Sequence, residues 1–338
     1  MSFTIDITTQ FAFGYDAKAL EDQQHSIRRH IELIFPLINR RLRAIVPYWR
    51  YFKFPSDRAV DTAIQELNQL TAELMRAFEQ KSADKAQVEP ENFLEALCLA
   101  AKDQAMALSD AEVFSNVLTM LLAGEDTTAN VAAWACYFLA MHPEVQKNIR
   151  TEMEEVLGQD KLGQDELGRD ELGDQGVIKN WQQLEKLKYT EGVAMEVLRI
   201  KSAAPILFFQ PTEDTVISDI AVPKDVVVFV ATRYLGMQSQ YFHQPEMFNP
   251  LRWCDAPEMA EVQACQKAFL PFGSGPRFCP GRQLSLAELK CLLVMWVRRF
   301  ELFLPDNALP PYEQFNFTMR PEGLQVCLRA APHLNQES

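Results

Sequence analysis

Ser109-Asp110-Ala111-Glu112 has the Ser-x-x-Glu form of a capping box, in which two orphan N–H groups at a helix start are satisfied reciprocally. The run Val113 to Met141 follows without a proline, and its charged residues are Glu125 and Asp126 alone. A helix of that length and character has to lie mostly buried, so the rest of the chain must be built around it. With 338 residues, 48% hydrophobic and 23% charged, there is enough chain to do so in one large body or two smaller ones. The same proportions exclude disorder, a collagen-like repeat and a disulfide scaffold.

Upstream, about Phe11 to Gln80 reads as helices interrupted at Pro36, Pro47 and Pro55, where a missing N–H breaks the ladder. Between Arg28 and Lys53 seven Lys or Arg residues stand against Glu32, interleaved with Phe35, Tyr48, Trp49, Tyr51, Phe52 and Phe54. Two readings stand: a membrane-grazing or substrate-entry flap, or aromatics buried on one side with arginines solvated on the other. Downstream, His142-Pro143-Glu144 restarts a helix that carries on to Gly158. Residues 157–176 form four copies of a five-residue unit beginning Leu-Gly, read as an expanded surface loop. A further helix covers about Tyr189 to Ile200. Thr215–Ile217 and Val226–Val230, around Pro223-Lys-Asp, read as a hairpin, and Phe315–Met319 with Leu324–Leu328, around Pro321-Glu-Gly, as a second.

Subtracting 46 acidic from 33 basic side chains leaves −13, which excludes whole-surface attraction to nucleic acid. Seven cysteines without a Cys-x-x-Cys pair indicate neither a zinc cage nor a bridged framework, and fit a reducing compartment. The longest uncharged run, Thr127 to Pro143, is too short and polar for a membrane span, and Met1 to Gln10 lacks a signal-peptide layout. The chain reads as soluble.

The most specific signal is Phe272-Gly-Ser-Gly275-Pro-Arg277-Phe-Cys279-Pro-Gly281, where glycines allow tight turns and one cysteine is delivered just before a helix at Gln283 to Phe300. Helix-start amides and a neighbouring guanidinium favour the thiolate form that a soft metal centre or an electrophile requires. The other six cysteines read as small buried hydrophobes. Glu196-Val-Leu-Arg199 sets an acid and a base on one helix face, an ordinary arrangement by itself. Ala123-Gly124-Glu125-Asp126-Thr127-Thr128 interrupts an apolar helix with a glycine, two acids and two hydroxyls; its plain reading is a kink with threonine hydroxyls bonded to the preceding turn.

Together these strings resemble the cytochrome P450 family. Phe272, Gly275, Arg277, Cys279 and Gly281 match its haem-binding loop, Phe-x-x-Gly-x-Arg-x-Cys-x-Gly. The resemblance implies Cys279 as the axial ligand of the iron, Phe272 near the sulfur and Arg277 on a propionate, with haem b (iron protoporphyrin IX) as cofactor. Glu196 and Arg199 match the family's Glu-x-x-Arg, and Phe248-Asn-Pro-Leu-Arg252-Trp253 resembles the segment whose arginine completes a buried Glu-Arg-Arg cluster; these three roles are structural. Ala123 to Thr128 matches the oxygen-activation motif, in which Gly124 makes room above the iron and Asp126 and Thr127 relay protons. Substrate contacts implied by analogy are Val117, Leu121, Ala203, Pro205, Ile206, Leu207 and Thr318, an apolar set.

The resemblance implies a mostly α, α+β fold: one helix-rich domain over residues 1–338 with small β-sheets, lacking the family's N-terminal segment, as a gene fragment or a chain begun at a wrong methionine would. It also implies a monooxygenase that takes O2 and a small lipophilic substrate. Electrons would come from a separate flavin reductase or ferredoxin, since no Gly-x-Gly-x-x-Gly is present. Basic residues Arg282, Lys290, Arg298 and Arg299 either meet that donor or form a solvated helix face. Phe208-Phe209-Gln210-Pro211 stands where many members place a propionate-binding arginine. Two other readings remain: a peroxygenase or hydroperoxide isomerase of the same fold, set back by the retained Asp126-Thr127 pair, and a non-catalytic remnant. The implied location is cytoplasmic, or membrane-anchored if a preceding segment carries an anchor.

Overall fold

The computed structural model describes residues 2–14, 26–42, 44–82, 89–102, 108–157, 178–254, 267–315 and 318–331. The repeats read at 157–176 lie outside them beyond Leu157. The chain divides into two compact units, Met1–Ala129 and Asn130–Ser338.

In the first unit, α1 (Ser2–Phe13), α2 (Ser26–Leu42), α3 (Pro55–Ser82) and α4 (Phe93–Ala101) surround the first part of α5 (Asp110–Met141). The capping box forms as the sequence requires: the Glu112 carboxylate accepts from the Ser109 amide at 2.8 Å, and the Ser109 hydroxyl accepts from the Glu112 amide at 3.3 Å. One apolar cluster joins Ala12, Phe13, Phe78, Leu94, Cys98, Val113, Val117 and Leu121; another joins Ile31, Ile34, Leu37, Val60 and Leu67, with Phe114, Leu118 and Leu122 against it.

Pro36 does not interrupt a helix; it lies inside α2 on an exposed position, where water can take the carbonyl its ring leaves unpaired. Burial of Ile31, Ile34 and Leu37 holds the helix together across it. Pro55 opens α3, a position at which the missing N–H costs nothing. Between α2 and α3 the aromatics are not packed away: Tyr51 is 79% exposed, Phe52 and Phe54 are exposed beside Ile45 and Val46, and Arg40 lies over the Tyr48 and Phe54 rings. Arg41 lies over the Trp49 ring and also reaches the buried Asp57 carboxylate at 3.0 Å, which Arg40 approaches to 3.5 Å.

The second unit continues α5 to Met141 and adds α6 (Pro143–Leu157), α7 (Trp181–Lys186), α8 (Lys188–Ile200), α9 (Thr232–Gly236) and α10 (Arg282–Arg299). Four two-stranded antiparallel sheets accompany them: β1 (Leu207–Phe209) with β4 (Val228–Val230), β2 (Thr215–Ile217) with β3 (Ile220–Val222), β5 (Phe300–Phe303) with β8 (Cys327–Ala330), and β6 (Tyr312–Phe315) with β7 (Met319–Glu322). Both hairpins read from the sequence are therefore paired differently. Ser218 at φ +56° turns β2 directly into β3, while the turn at Pro223 to Asp225 returns the chain so that β4 pairs with β1. Likewise Pro321 lies within β7, and β8, beyond Gly323 at φ +76°, pairs with β5.

Three polar side chains of α6 satisfy backbone groups of their neighbours. The buried Gln146 amide donates to Leu139 O at 2.7 Å and Leu302 O at 2.8 Å while accepting from Leu302 N at 3.0 Å. Arg150 donates to Val297 O and Phe300 O at the end of α10. Glu152 accepts from the Tyr189 and Thr190 amides at the start of α8. Among the described residues, no helix is long and apolar enough to cross a membrane.

Removing the Gln146 side chain strands a buried N–H and two carbonyls, so Gln146→Ala should lose about 3 kcal/mol of unfolding free energy in urea titration. Arg329→Ala, which removes an exposed pair with Glu301, should lose less than about 1 kcal/mol in the same measurement.

Candidate functional site

The cysteine loop is built by backbone geometry. Gly273 and Gly275 adopt φ +72° and +66°, values that favour glycine, and the chain folds back so that Cys279 N donates to Phe272 O at 2.8 Å. Phe278 N bonds to Gly275 O at 3.0 Å, and Arg282 N to Cys279 O at 3.4 Å as α10 begins. Cys279 is left half-buried, two residues before Gly281; a Cβ at Gly281 would stand 3.8 Å from the sulfur. Arg277 is exposed, and Arg282 lies 6.0 Å from the Phe272 ring centroid. Burial pushes the thiols of Cys98, Cys136 and Cys291 up, that of Cys136 to about 12. Those three stay protonated.

Glu196, Arg199 and Arg252 are brought into one cluster. Both Glu196 and Arg199 are fully buried on α8. Arg199 Nε and Nη2 grip the Glu196 carboxylate at 2.9 and 2.8 Å. Its remaining N–H groups donate to Gly236 O at 2.8 Å, Pro245 O at 2.7 Å and Met247 O at 3.2 Å, so all five guanidinium hydrogens have acceptors. Arg252 Nε donates to Glu196 Oε1 at 3.0 Å. Two donors were not foreseen: the Trp253 indole, 2.9 Å from Glu196 Oε2, and the Asn249 amide, 3.0 Å from Oε1. A tryptophan beside Arg252 was a usable signal for the first; backbone amides and carbonyls leave none. Gly192 makes the approach of α8 to this segment possible, since a Cβ there would lie 2.7 Å from Pro250 O.

On α5, the Thr127 hydroxyl donates to Ala123 O at 2.7 Å, and Asp126 is half-buried. Ser115 and Thr119 are exposed and Thr127 is half-buried, each hydroxyl bonded to the carbonyl four residues before it. The room beside Gly124 is taken by Thr8 of α1, 3.0 Å from where a Cβ would stand.

The apolar residues assigned to substrate separate. Val117 and Leu121 are wholly buried in an apolar cluster with residues of α1, α3 and α4. Ala203 and Pro205 are buried, while Ile206 and Leu207 are half-buried. Thr318 is buried next to Ala203, whose carbonyl accepts from Met319 N at 2.9 Å, and its hydroxyl accepts from Asn130 at 2.8 Å. The reading of Lys290 as a surface cation is corrected. It is 3% exposed and paired with Glu191 at 2.9 Å, so it offers no charge to a partner's surface.

A family model described as Cytochrome P450 matches residues 1–328. Among curated proteins, the chain is 27% identical over 341 residues to Cytochrome P450 4F12 of Homo sapiens, covering 97% of this chain and 61% of that one. It is 27% identical over 295 residues to Cyclooctat-9-en-7-ol 5-monooxygenase of Streptomyces melanosporofaciens, covering 87% and 58%. This chain thus spans about three fifths of these relatives' length. The crystal structure of the cytochrome P450DA heme domain superposes with a TM-score of 0.78 at 21% identity, over 98% of this chain and 68% of that one.

Glu196→Ala would leave Arg199 buried without its anion and should cost about 3 to 5 kcal/mol, read as a lowered denaturation midpoint. A second outcome concerns Glu288 of α10, whose carboxyl burial pushes up to about 8. Its folded-state value exceeds its unfolded one, so the unfolded chain binds fewer protons between the two and stability falls as pH rises from about 4.5 to 8. Glu288→Gln should flatten that fall in denaturation midpoints measured across the same window.

Proposed function

Because the chain belongs to the cytochrome P450 family, we propose that it holds haem b through Cys279 and inserts one oxygen atom of O2 into a small lipophilic molecule. The observation that carries the reading is the cysteine loop: a half-buried thiol, fixed by its own amide to Phe272 and standing two residues before Gly281, the cap of α10. That arrangement fits the group, since the sulfur is only half-buried and Gly281, where a Cβ would stand 3.8 Å from it, leaves that side clear. When bound, iron protoporphyrin IX supplies the dioxygen chemistry, and a thiolate ligand favours O–O cleavage.

The chain's own residues would do the rest. Phe272 closes the loop and keeps Cys279 from swinging away. Arg277, with its guanidinium in solvent, would pair with a carboxylate of the cofactor. Thr127, whose hydroxyl hydrogen is committed to Ala123 O, would accept a hydrogen bond from water through its oxygen, and Asp126 would be its partner in handling protons. Gly275 fits the loop's left-handed turn. Glu196, Arg199 and Arg252 hold the segment from α9 to Trp253 in place. Ala203, Pro205, Ile206 and Leu207 would present an apolar wall to the substrate, which supports a lipophilic class. Electrons would come from a separate flavin reductase or ferredoxin, and the location that goes with this reading is the cytoplasm.

The test is the absorption spectrum of the reduced, carbon-monoxide-treated chain expressed with haem supply, beside Cys279→Ala. A strongly red-shifted Soret band in the parent and its loss in the variant is the expected result. An unshifted band would remove Cys279 from the iron, and no haem at all would leave the chain a non-catalytic remnant.

A further inference from the structure

Two stretches of the chain leave large apolar side chains in water, one in each unit. In the first, the tip joining α2 to α3 exposes Ile45 fully, with Val46, Tyr51, Phe52 and Phe54 exposed beside it. In the second, strands β1 to β4 expose Phe208, Val216, Ile217, Ile220 and Phe229. Their charges are opposite. Residues 40–61 carry Arg40, Arg41, Arg43, Arg50, Lys53 and Arg58 against Asp57 and Asp61, and six less two leaves +4 in a chain of −13. Residues 208–229 carry Lys224 against Glu213, Asp214, Asp219 and Asp225, and one less four leaves −3.

The basic tip has a built interior of its own. The Tyr48 ring meets those of Trp49, Phe52 and Phe54 at centroid distances of 5.3, 5.7 and 5.2 Å, and Phe52 meets Phe54 at 5.2 Å. Tyr48 O accepts from Tyr51 N at 2.9 Å and from Phe52 N at 3.0 Å. The rings pack on one another while Phe52 and Phe54 stay exposed, so little further ordering is needed for them to leave water. Cations stand around them. Arg40 lies over Tyr48 and Phe54, Arg41 over Trp49, and the two share the buried Asp57 carboxylate. Lys53 pairs with Asp61, while Arg50 and Arg58 are exposed and, among the described residues, pair with no carboxylate.

Exposed apolar side chains call for an apolar host, and cations around them call for a negatively charged one. An anionic bilayer is both at once: lipid phosphates lie outermost with hydrocarbon just beneath, a boundary that suits tyrosine, tryptophan and arginine. Since no described helix can cross a membrane, the contact is with one leaflet. We propose that the tip between α2 and α3 docks on the surface of an anionic bilayer. Ile45, Tyr51, Phe52 and Phe54 enter the headgroup boundary, and Arg50 and Arg58 meet lipid phosphates. The hairpin at 208–229, equally apolar but acidic, is repelled by the same surface.

The experiment is co-sedimentation of the full chain with vesicles of phosphatidylcholine alone, or of phosphatidylcholine and phosphatidylglycerol in equal parts. The parent should pellet with the anionic vesicles, stay in solution with the neutral ones, and be released in about 1 M sodium chloride, where charges are screened beyond ~3 Å. Arg50→Glu and Arg58→Glu should each weaken the partition about fivefold or more, and Ile45→Ser with Phe52→Ser about tenfold. Phe229→Ser, on the acidic hairpin, should bind as the parent does. A parent that ignores anionic vesicles, parent-like binding in both charge variants, or an equal loss in Phe229→Ser would each overturn the proposal. A chain that is dimeric without lipid and becomes monomeric in Ile45→Ser would assign the tip to a second copy and overturn it as well.

Discussion

A carboxylate that has left water completely must find hydrogen-bond donors for both oxygens, and Glu196 finds five. Two come from Arg199, one from Arg252, one from the Trp253 indole and one from the Asn249 amide. Arg199 has the mirror-image requirement, and it draws in the carbonyls of Gly236, Pro245 and Met247. Neither group can be satisfied unless residues 236–253 are wrapped against α8. The long irregular stretch between α9 and Trp253 has little regular structure of its own, and it is this charge pair that gives it a fixed path.

The same logic, with smaller stakes, runs through the rest of the second unit. Helix ends and strand groups that would otherwise be orphaned are met by side chains of α6: Gln146 behaves towards Leu302 as a strand partner would, Arg150 closes α10, and Glu152 opens α8. Short two-stranded sheets are weak by themselves, and here β5 packs against α6 and α10 while β6 is held by the ion pairs of Glu313 with Lys201 and Arg233. The first unit works differently. Its helices are held by two apolar clusters, and its polar residues on α5 mostly bond to their own helix.

What the sequence made legible follows the same division. Glu196 and Arg199 could be read because an acid and an arginine at i,i+3 lie on one helix face, and Arg252 because its flanking string resembled a known segment. The acceptors that complete the cluster are carbonyls, which every residue has, so nothing marked Gly236, Pro245 or Met247. The capping box and α5 were plain because capping and periodicity are local. Strand pairing was not, since adjacency in sequence says little about which three-residue runs meet: β4 sought β1 past an intervening hairpin. Val117 and Leu121 show the ambiguity of apolar residues, which line cores and substrate walls alike. Lys290 shows that a charge on a helix can be buried when a single carboxylate waits opposite.

Trp253 links two of these features. Its indole donates to Glu196, and its ring packs at a 40° tilt against Phe269, centroids 4.5 Å apart, in the segment that leads into the cysteine loop. An indole held by a buried carboxylate on one side and an aromatic ring on the other emits differently from one in water. In a variant that keeps Trp253 alone of the chain's five tryptophans, the colour of its emission would register whether α8 and the approach to Cys279 are held together.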